Sequence, residues 1–137
     1  MKLLVLCTGN TCRSQMAEAF FKHYYPDWEV YSAGTHAEEK INPLAVKVMK
    51  EKGMDLSGAV PTPVEAFLDE AFDVVLTVCS DAEKECPVFY GKVKKRLHRP
   101  FDDPAACHGD EETCLPVYRK VRDEIEEFVR DFIYVVF

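Results

Sequence analysis

The chain has 137 residues, of which 47% are hydrophobic, enough apolar material for one sizeable core and too little for a second. A net charge of -7 excludes a general polyanion-binding surface, so nucleic acid is not an expected partner. No stretch is long and apolar enough to span a bilayer, and Met1-Lys-Leu-Leu-Val-Leu6 is too short for a signal peptide, which points to a cytoplasmic protein without a membrane partner.

The pattern along the chain alternates strands with helices. Residues 2–7 read as a strand, and Ser14 to about Tyr25 as a helix with Met16, Ala17, Phe20, Phe21 and Tyr24 on one face. Trp28 to Ala33 follows as a second strand, stopped by Gly34. Asn42-Pro43 is a cap followed by proline at the first helical position; Leu44, Ala45, Val48 and Met49 face inward and Gly53 ends the helix. Pro61 and Pro63 break the chain before a short helix near Val64 to Ala71. Asp73 to Val78 is a third, buried strand and Lys92 to Leu97 a weaker fourth. Ser80-Asp-Ala-Glu83 has the form of a capping box, with a short helix running up to Pro87. Leu115 to about Phe132 is a final helix with Val117, Val121, Ile125, Phe128 and Phe132 on one face. The expected fold is a single α/β domain over residues 1–137, a parallel sheet of about four strands with helices on both faces. A monomer is expected.

Chemistry concentrates in Cys7-Thr-Gly-Asn-Thr-Cys-Arg13-Ser14, which joins the first strand to the first helix. A segment from Thr8 through Gly9, Asn10, Thr11 and Cys12 to Arg13 can turn successive backbone N–H groups inward around a tetrahedral oxyanion. The helix N-terminus adds positive potential, and Arg13 a planar fork of donors. That field favours ionisation of Cys7, since thiols beside helix N-termini and cations titrate at about 3.5–7.5 rather than roughly 8.5. Cys7 is thus a nucleophile in the floor of an oxyanion trap. Ser14 has two compatible tasks, donating to the Cys7 thiolate and capping the helix, while Asn10 braces the loop and Cys12 packs.

Six cysteines stand at 7, 12, 79, 86, 107 and 114. Without a sign of export they argue for redox chemistry rather than a disulfide framework. The chain lacks C-x2-C pairs and its histidines (23, 36, 98 and 108) are scattered, so no metal site is expected; His23 and His36 read as surface residues. Cys7 and Cys79 both fall at the carboxyl ends of strands, where open α/β sheets bind ligands. Cys107 and Cys114 have the same separation as Cys79 and Cys86; a second resolving pair, a stabilising disulfide and no bond all remain open, with no bond preferred.

The loop 7–18, Val30-Tyr-Ser-Ala-Gly34, Val78-Cys-Ser-Asp-Ala82 with Cys86, and Phe101-Asp-Asp-Pro-Ala105 resemble the thioredoxin-coupled arsenate reductases of the low-molecular-weight protein tyrosine phosphatase fold. That resemblance implies that the first and third strands are neighbours. Adjacent strands lie about 4.8 Å apart, within reach of a Cys7–Cys79 bond. It implies a relay in which Cys7 attacks arsenate, Cys79 attacks Cys7 to release arsenite, and Cys86 attacks Cys79, leaving a disulfide for thioredoxin. It also makes Asp103, immediately before Pro104, the general acid, with Asp102 a turn residue. No tightly bound cofactor is implied beyond potassium. Asn10, Glu18 and Ser32 stand where some such reductases hold that ion, but Gly58-Ala-Val-Pro-Thr-Pro63 departs from the remaining ligand pattern and leaves the site in doubt. The alternative is a tyrosine phosphatase using Cys7, Arg13 and Asp103 alone; against it, Ala105-Ala106 stand where an aromatic would flank a phosphotyrosine ring. A non-catalytic oxyanion binder is the third reading, and it leaves the nucleophile and acid without a purpose.

Overall fold

The structure, a computed structural model, describes residues 1–86 and 88–136, without the side chains of residues 83, 135 and 136. Four strands, β1 (Lys2–Cys7), β2 (Glu29–Gly34), β3 (Phe72–Thr77) and β4 (Val93–His98), form one parallel sheet in the order β2-β1-β3-β4. β1 is central and its Leu3 to Leu6 are wholly buried, as a strand covered on both faces requires. In register, Leu6 of β1 lies beside both Ala33 of β2 and Thr77 of β3. The carboxyl ends of three strands therefore finish together. β4 is an edge, and its side chains are mostly exposed.

The helices are α1 (Arg13–Tyr24), α2 (Pro43–Lys50), α3 (Ser80–Glu85), α4 (Glu111–Arg130) and α5 (Phe132–Val136), with single 3-10 turns at Val64–Phe67 and Pro104–Ala106. Asn42 begins α2 as expected: its Oδ1 accepts from the Leu44 and Ala45 amides, while its Nδ2 donates to the Tyr118 hydroxyl at 2.8 Å and so ties the cap to α4. Asp110 caps α4 by accepting from Thr113 N at 2.8 Å. α4 begins four residues earlier than the periodicity suggests, because its polar first turn is started by the Asp110 cap, and it accommodates Pro116 in its second turn. Its buried face carries Cys114, Tyr118, Val121, Arg122, Ile125 and Val129, whereas Val117, expected inside, is exposed. Arg122 holds α2 and α4 together, donating to Val48 O at 3.0 Å and to Glu51 at 2.8 Å. Rings pack in two groups, Phe21 of α1, Trp28 before β2, Phe128 of α4 and Phe132 of α5 in one, and Tyr31, Phe67, Phe72 and Phe89 around β3 in the other.

Cys107 and Cys114 are bonded, with Cα atoms 5.8 Å apart. This corrects the preference for no bond. Cys107 closes the 3-10 turn Pro104–Ala106 and Cys114 lies in the first turns of α4, so the tight 107–110 connection brings the two together. Among the described residues no helix is long and apolar enough to cross a membrane.

Candidate active site

The residues after β1 form a loop whose backbone is pinned from outside. The carbonyls of Cys7, Thr8, Gly9 and Thr11 accept from the amides of Thr35, His36, Glu38 and Asn42 at 2.9–3.0 Å. In a trans peptide the C=O and the following N–H point in opposite directions. Carbonyls turned outward at these four residues turn the amides of Thr8, Gly9, Asn10 and Cys12 inward. Gly34 permits the close approach: a Cβ there would lie 2.5 Å from the Thr8 carbonyl oxygen. Asn10 supplies the reversal with φ 57, in the left-handed region that asparagine tolerates.

Asn10 is fully buried and makes four side-chain hydrogen bonds. Its Nδ2 donates to Ser14 Oγ (2.7 Å) and Ser32 Oγ (3.0 Å), and its Oδ1 accepts from Thr62 N (2.9 Å) and Gln15 Nε2 (3.1 Å). The expectation of a bracing asparagine is met, and Gln15, which the sequence reading passed over, is part of the brace. Ser14 behaves differently from the expectation. It is the second residue of α1 with Cys12 at the cap, no side chain caps this helix, and its hydroxyl oxygen is directed at Asn10 behind the loop. Ser32 donates in turn to Glu18, whose other oxygen takes Lys22. Asn10, Ser32 and Glu18 are thus brought together, but as a closed chain of donors and acceptors rather than an all-oxygen cage of the kind hard cations prefer.

Cys7 to Arg13 line a cavity of about 320 Å³ with His36, Glu38 and Asp103 on its rim. Arg13 leaves the first turn of α1 to face it, held by donation to Phe101 O at 3.0 Å and by Asp103 Oδ2 at 3.7 Å. A second hollow adjoins the first and shares Arg13 and Asp103; Cys79, Ser80 and Asp102 line it. Cys79 follows β3, whose register beside β1 brings it to Cys7, and Thr8 Oγ1 lies 3.3 Å from its sulfur. Cys86 stands apart at the far end of α3, half-buried, with Arg96 Nη1 at 3.7 Å from its sulfur. Thr77 and His98 share its pocket.

Cys7 and Cys79 stand side by side after β1 and β3, and each governs the other's titration. Interaction with Cys7, with help from Thr8, the Ala82 amide and Arg13, brings Cys79 down to about 5 against the cost of burial. The same interaction and burial hold the Cys7 proton well above the ordinary thiol range, in spite of Arg13 and the Thr8 amide. One negative charge is therefore shared by two sulfurs, and the first proton leaves the pair easily. The sequence reading placed this charge on Cys7 alone, because the partner sulfur is invisible from the loop. Cys12 is pushed up to about 12 by burial, in keeping with a packing role. His36 is on the surface as expected, but its Nε2 pairs with Glu85 of α3 at 2.6 Å, linking the cavity rim to the segment between Cys79 and Cys86. Glu38 at the rim had no local sequence signal, since only its backbone pairing with Gly9 brings it there.

A thiol pair sharing one charge, a ring of inward amides and a fixed guanidinium define a cysteine-based oxyanion enzyme site on a phosphatase-like fold. Residues 2–136 match the low molecular weight phosphotyrosine protein phosphatase family, and the chain belongs to it. An arsenate reductase of Shouchella clausii is 48% identical over 128 residues, covering 93% of this chain and 91% of the relative. The crystal structure of an arsenate reductase from Archaeoglobus fulgidus superimposes with a TM-score of 0.74 at 32% identity, over 96% of this chain and 98% of that one. A low molecular weight protein tyrosine phosphatase from T. tengcongensis gives 0.81 at 28% identity, over 98% of each chain.

Proposed function

We propose that this protein reduces arsenate to arsenite and passes the oxidation to a dithiol reductant through three of its cysteines. The observation that carries the reading is the placement of Cys7 and Cys79 after the adjacent strands β1 and β3, opening onto cavities that share Arg13 and Asp103. A hydrolase of oxyanion esters needs one thiol there; a reductase needs two.

Arsenate enters the loop with its oxygens on the inward amides and Arg13. The Cys7 thiolate attacks arsenic, and Asp103 gives a proton to the departing hydroxide, which leaves as water. Cys79 then attacks the Cys7 sulfur. The S–As bond breaks with its electron pair staying on arsenic, so As(V) becomes As(III), and a Cys7–Cys79 disulfide forms. Cys86 attacks Cys79, releasing the Cys7 thiolate and leaving a Cys79–Cys86 disulfide. A dithiol protein of the thioredoxin type closes the cycle, itself becoming a disulfide.

The test is incubation with arsenate, thioredoxin, thioredoxin reductase and NADPH, beside p-nitrophenyl phosphate alone. Arsenate-dependent NADPH oxidation that is lost in Cys79→Ser and Cys86→Ser is expected. Turnover of the aryl phosphate with no arsenate-dependent oxidation would make the protein a phosphatase instead.

A further inference from the structure

Cys86 lies beside a basic stretch of an acidic chain. From Cys86 to Phe101 there is no Asp or Glu, and the stretch holds Lys92, Lys94, Lys95, Arg96 and Arg99, five of the 17 Lys and Arg residues in a molecule of net charge -7. All five are exposed and sit on or beside β4, an edge strand with no further strand outside it among the described residues. Side chains alternate along a strand, so Lys94 and Arg96 share one face. That is the face of Cys86, since Arg96 Nη1 approaches its sulfur to 3.7 Å. Val88 and Tyr90, in the connection between Cys86 and β4, are 78% and 80% exposed. Apolar side chains exposed this far beside a basic edge, on which Lys94 pairs with Asp73 at 3.0 Å and Lys92, Lys95, Arg96 and Arg99 are exposed, mark a contact surface rather than a solvated loop.

We infer that the Cys86 side of β4 is the docking surface for the electron donor, and that the donor presents a dithiol surrounded by an acidic, partly apolar face. The inference rests on the relay proposed above, which makes Cys86 the last sulfur to be oxidised. The donor thiolate attacks one sulfur of the Cys79–Cys86 bond, a mixed disulfide forms, and the second donor thiol attacks it. Two electrons and two protons pass to the enzyme and the donor leaves as a disulfide. Lysines on an edge strand also prevent edge-to-edge pairing. That ordinary role predicts no dependence of reduction on the donor's charge, whereas docking predicts a strong one.

The experiment compares wild type with Lys92→Glu/Lys94→Glu, with Tyr90→Ser, and with Lys50→Glu/Lys120→Glu, which makes the same charge change on α2 and α4. Arsenate reduction is driven by thioredoxin with its reductase, and separately by dithiothreitol. The expected result for Lys92→Glu/Lys94→Glu is a loss of about tenfold or more in kcat/KM for thioredoxin, and of the fall in that constant with added salt, because steering between opposite charges acts on association. Tyr90→Ser should lower kcat/KM for thioredoxin without altering the salt slope. Rates with dithiothreitol should stay within about twofold in every variant, and Lys50→Glu/Lys120→Glu should match wild type with both donors. An unchanged thioredoxin constant in both β4-side variants overturns the docking surface, as does an equal loss with dithiothreitol, which would make the residues structural. A wild-type enzyme that reduces arsenate with dithiothreitol and not with thioredoxin overturns the donor assignment and leaves the oxyanion chemistry standing. Failure with both donors sinks the arsenate-reducing reading itself.

Discussion

Asn10 illustrates how a residue that touches no reacting atom sets the chemistry of those that do. Its positive φ reverses the loop and its four hydrogen bonds fix that reversal to α1, β2 and the segment before the first 3-10 turn, so the amides around the cavity are held in place before any anion arrives. The next residue-scale effect is the charge shared by Cys7 and Cys79. Since interaction with Cys7 is the largest cause of the low Cys79 value, Cys7→Ala should return Cys79 toward the ordinary thiol range. The sign is that of an acid stabilised in its charged form: thiolate is present above about pH 5 in wild type and is lost as pH falls through that value. Thiolate absorbance near 240 nm, followed against pH in the two proteins, measures it. A Cys79 titration left in place by Cys7→Ala would show that Thr8, Ala82 and Arg13 carry the effect alone.

At the scale of elements, strand and helix positions were legible wherever a period and a terminus signal agreed. β1 to β4, α1 and the Asn42-Pro43 start of α2 follow this rule. α4 starts at Glu111 rather than Leu115 because its first turn, Glu111-Glu112-Thr113, carries no apolar residue and is begun by the Asp110 cap, and Val117 is exposed although it stands one turn before the buried Val121. The structure brings together the loop, Cys79 and Asp103 as the sequence suggests, while Cys86 stands apart at the far end of α3. What stayed hidden, including the outward-pinned carbonyls, Gln15 and Glu38, depends on contacts between segments far apart in sequence. α3 was anticipated, but Cys79 stands at its cap and Ser80 is its first residue, so the capping box is not what starts it; Pro87, expected to end it, lies outside the described residues. The helix sets a geometric conflict. Seven residues of helix rise about 10.5 Å, and a disulfide spans roughly 7 Å at most between Cα atoms, so Cys79 cannot bond Cys86 while α3 is intact. The exposed pair His36 with Glu85 holds its outer side among the described residues, and such pairs contribute at most about 1 kcal/mol. Oxidation of the Cys79–Cys86 pair should therefore unwind α3 at modest cost. Amide exchange should quicken at residues 80–86 and little elsewhere. Full protection there in a protein whose Cys79–Cys86 bond is confirmed by mass spectrometry would mean that the relay closes in some other way.

For the molecule as a whole, the Cys107–Cys114 bond adds a staple to a core that is already continuous from β1 to α4. Nothing in the proposed relay uses it, so its effect should appear in stability. A crosslink acts mainly by restricting the unfolded chain, and a separation of 7 residues closes a short loop, for which the chain-entropy relation gives about 2.5 kcal/mol. Cys107→Ser/Cys114→Ser should thus melt several degrees below the oxidised wild type, by roughly 2–4 °C for each kcal/mol in a domain of this size. The cost should fall on stability rather than on the site: Asp103, four residues from Cys107, is held by its own bond from the Ala105 amide and by Arg13, neither of which involves the staple. Thermal unfolding of the two proteins, each with and without a reductant, measures the effect. Wild type should lose the increment on reduction and the variant should be indifferent to it. Equal melting temperatures in all four samples would show that the bond does not restrain the unfolded chain in solution, and that the contact of the 3-10 turn with α4 holds this corner unaided.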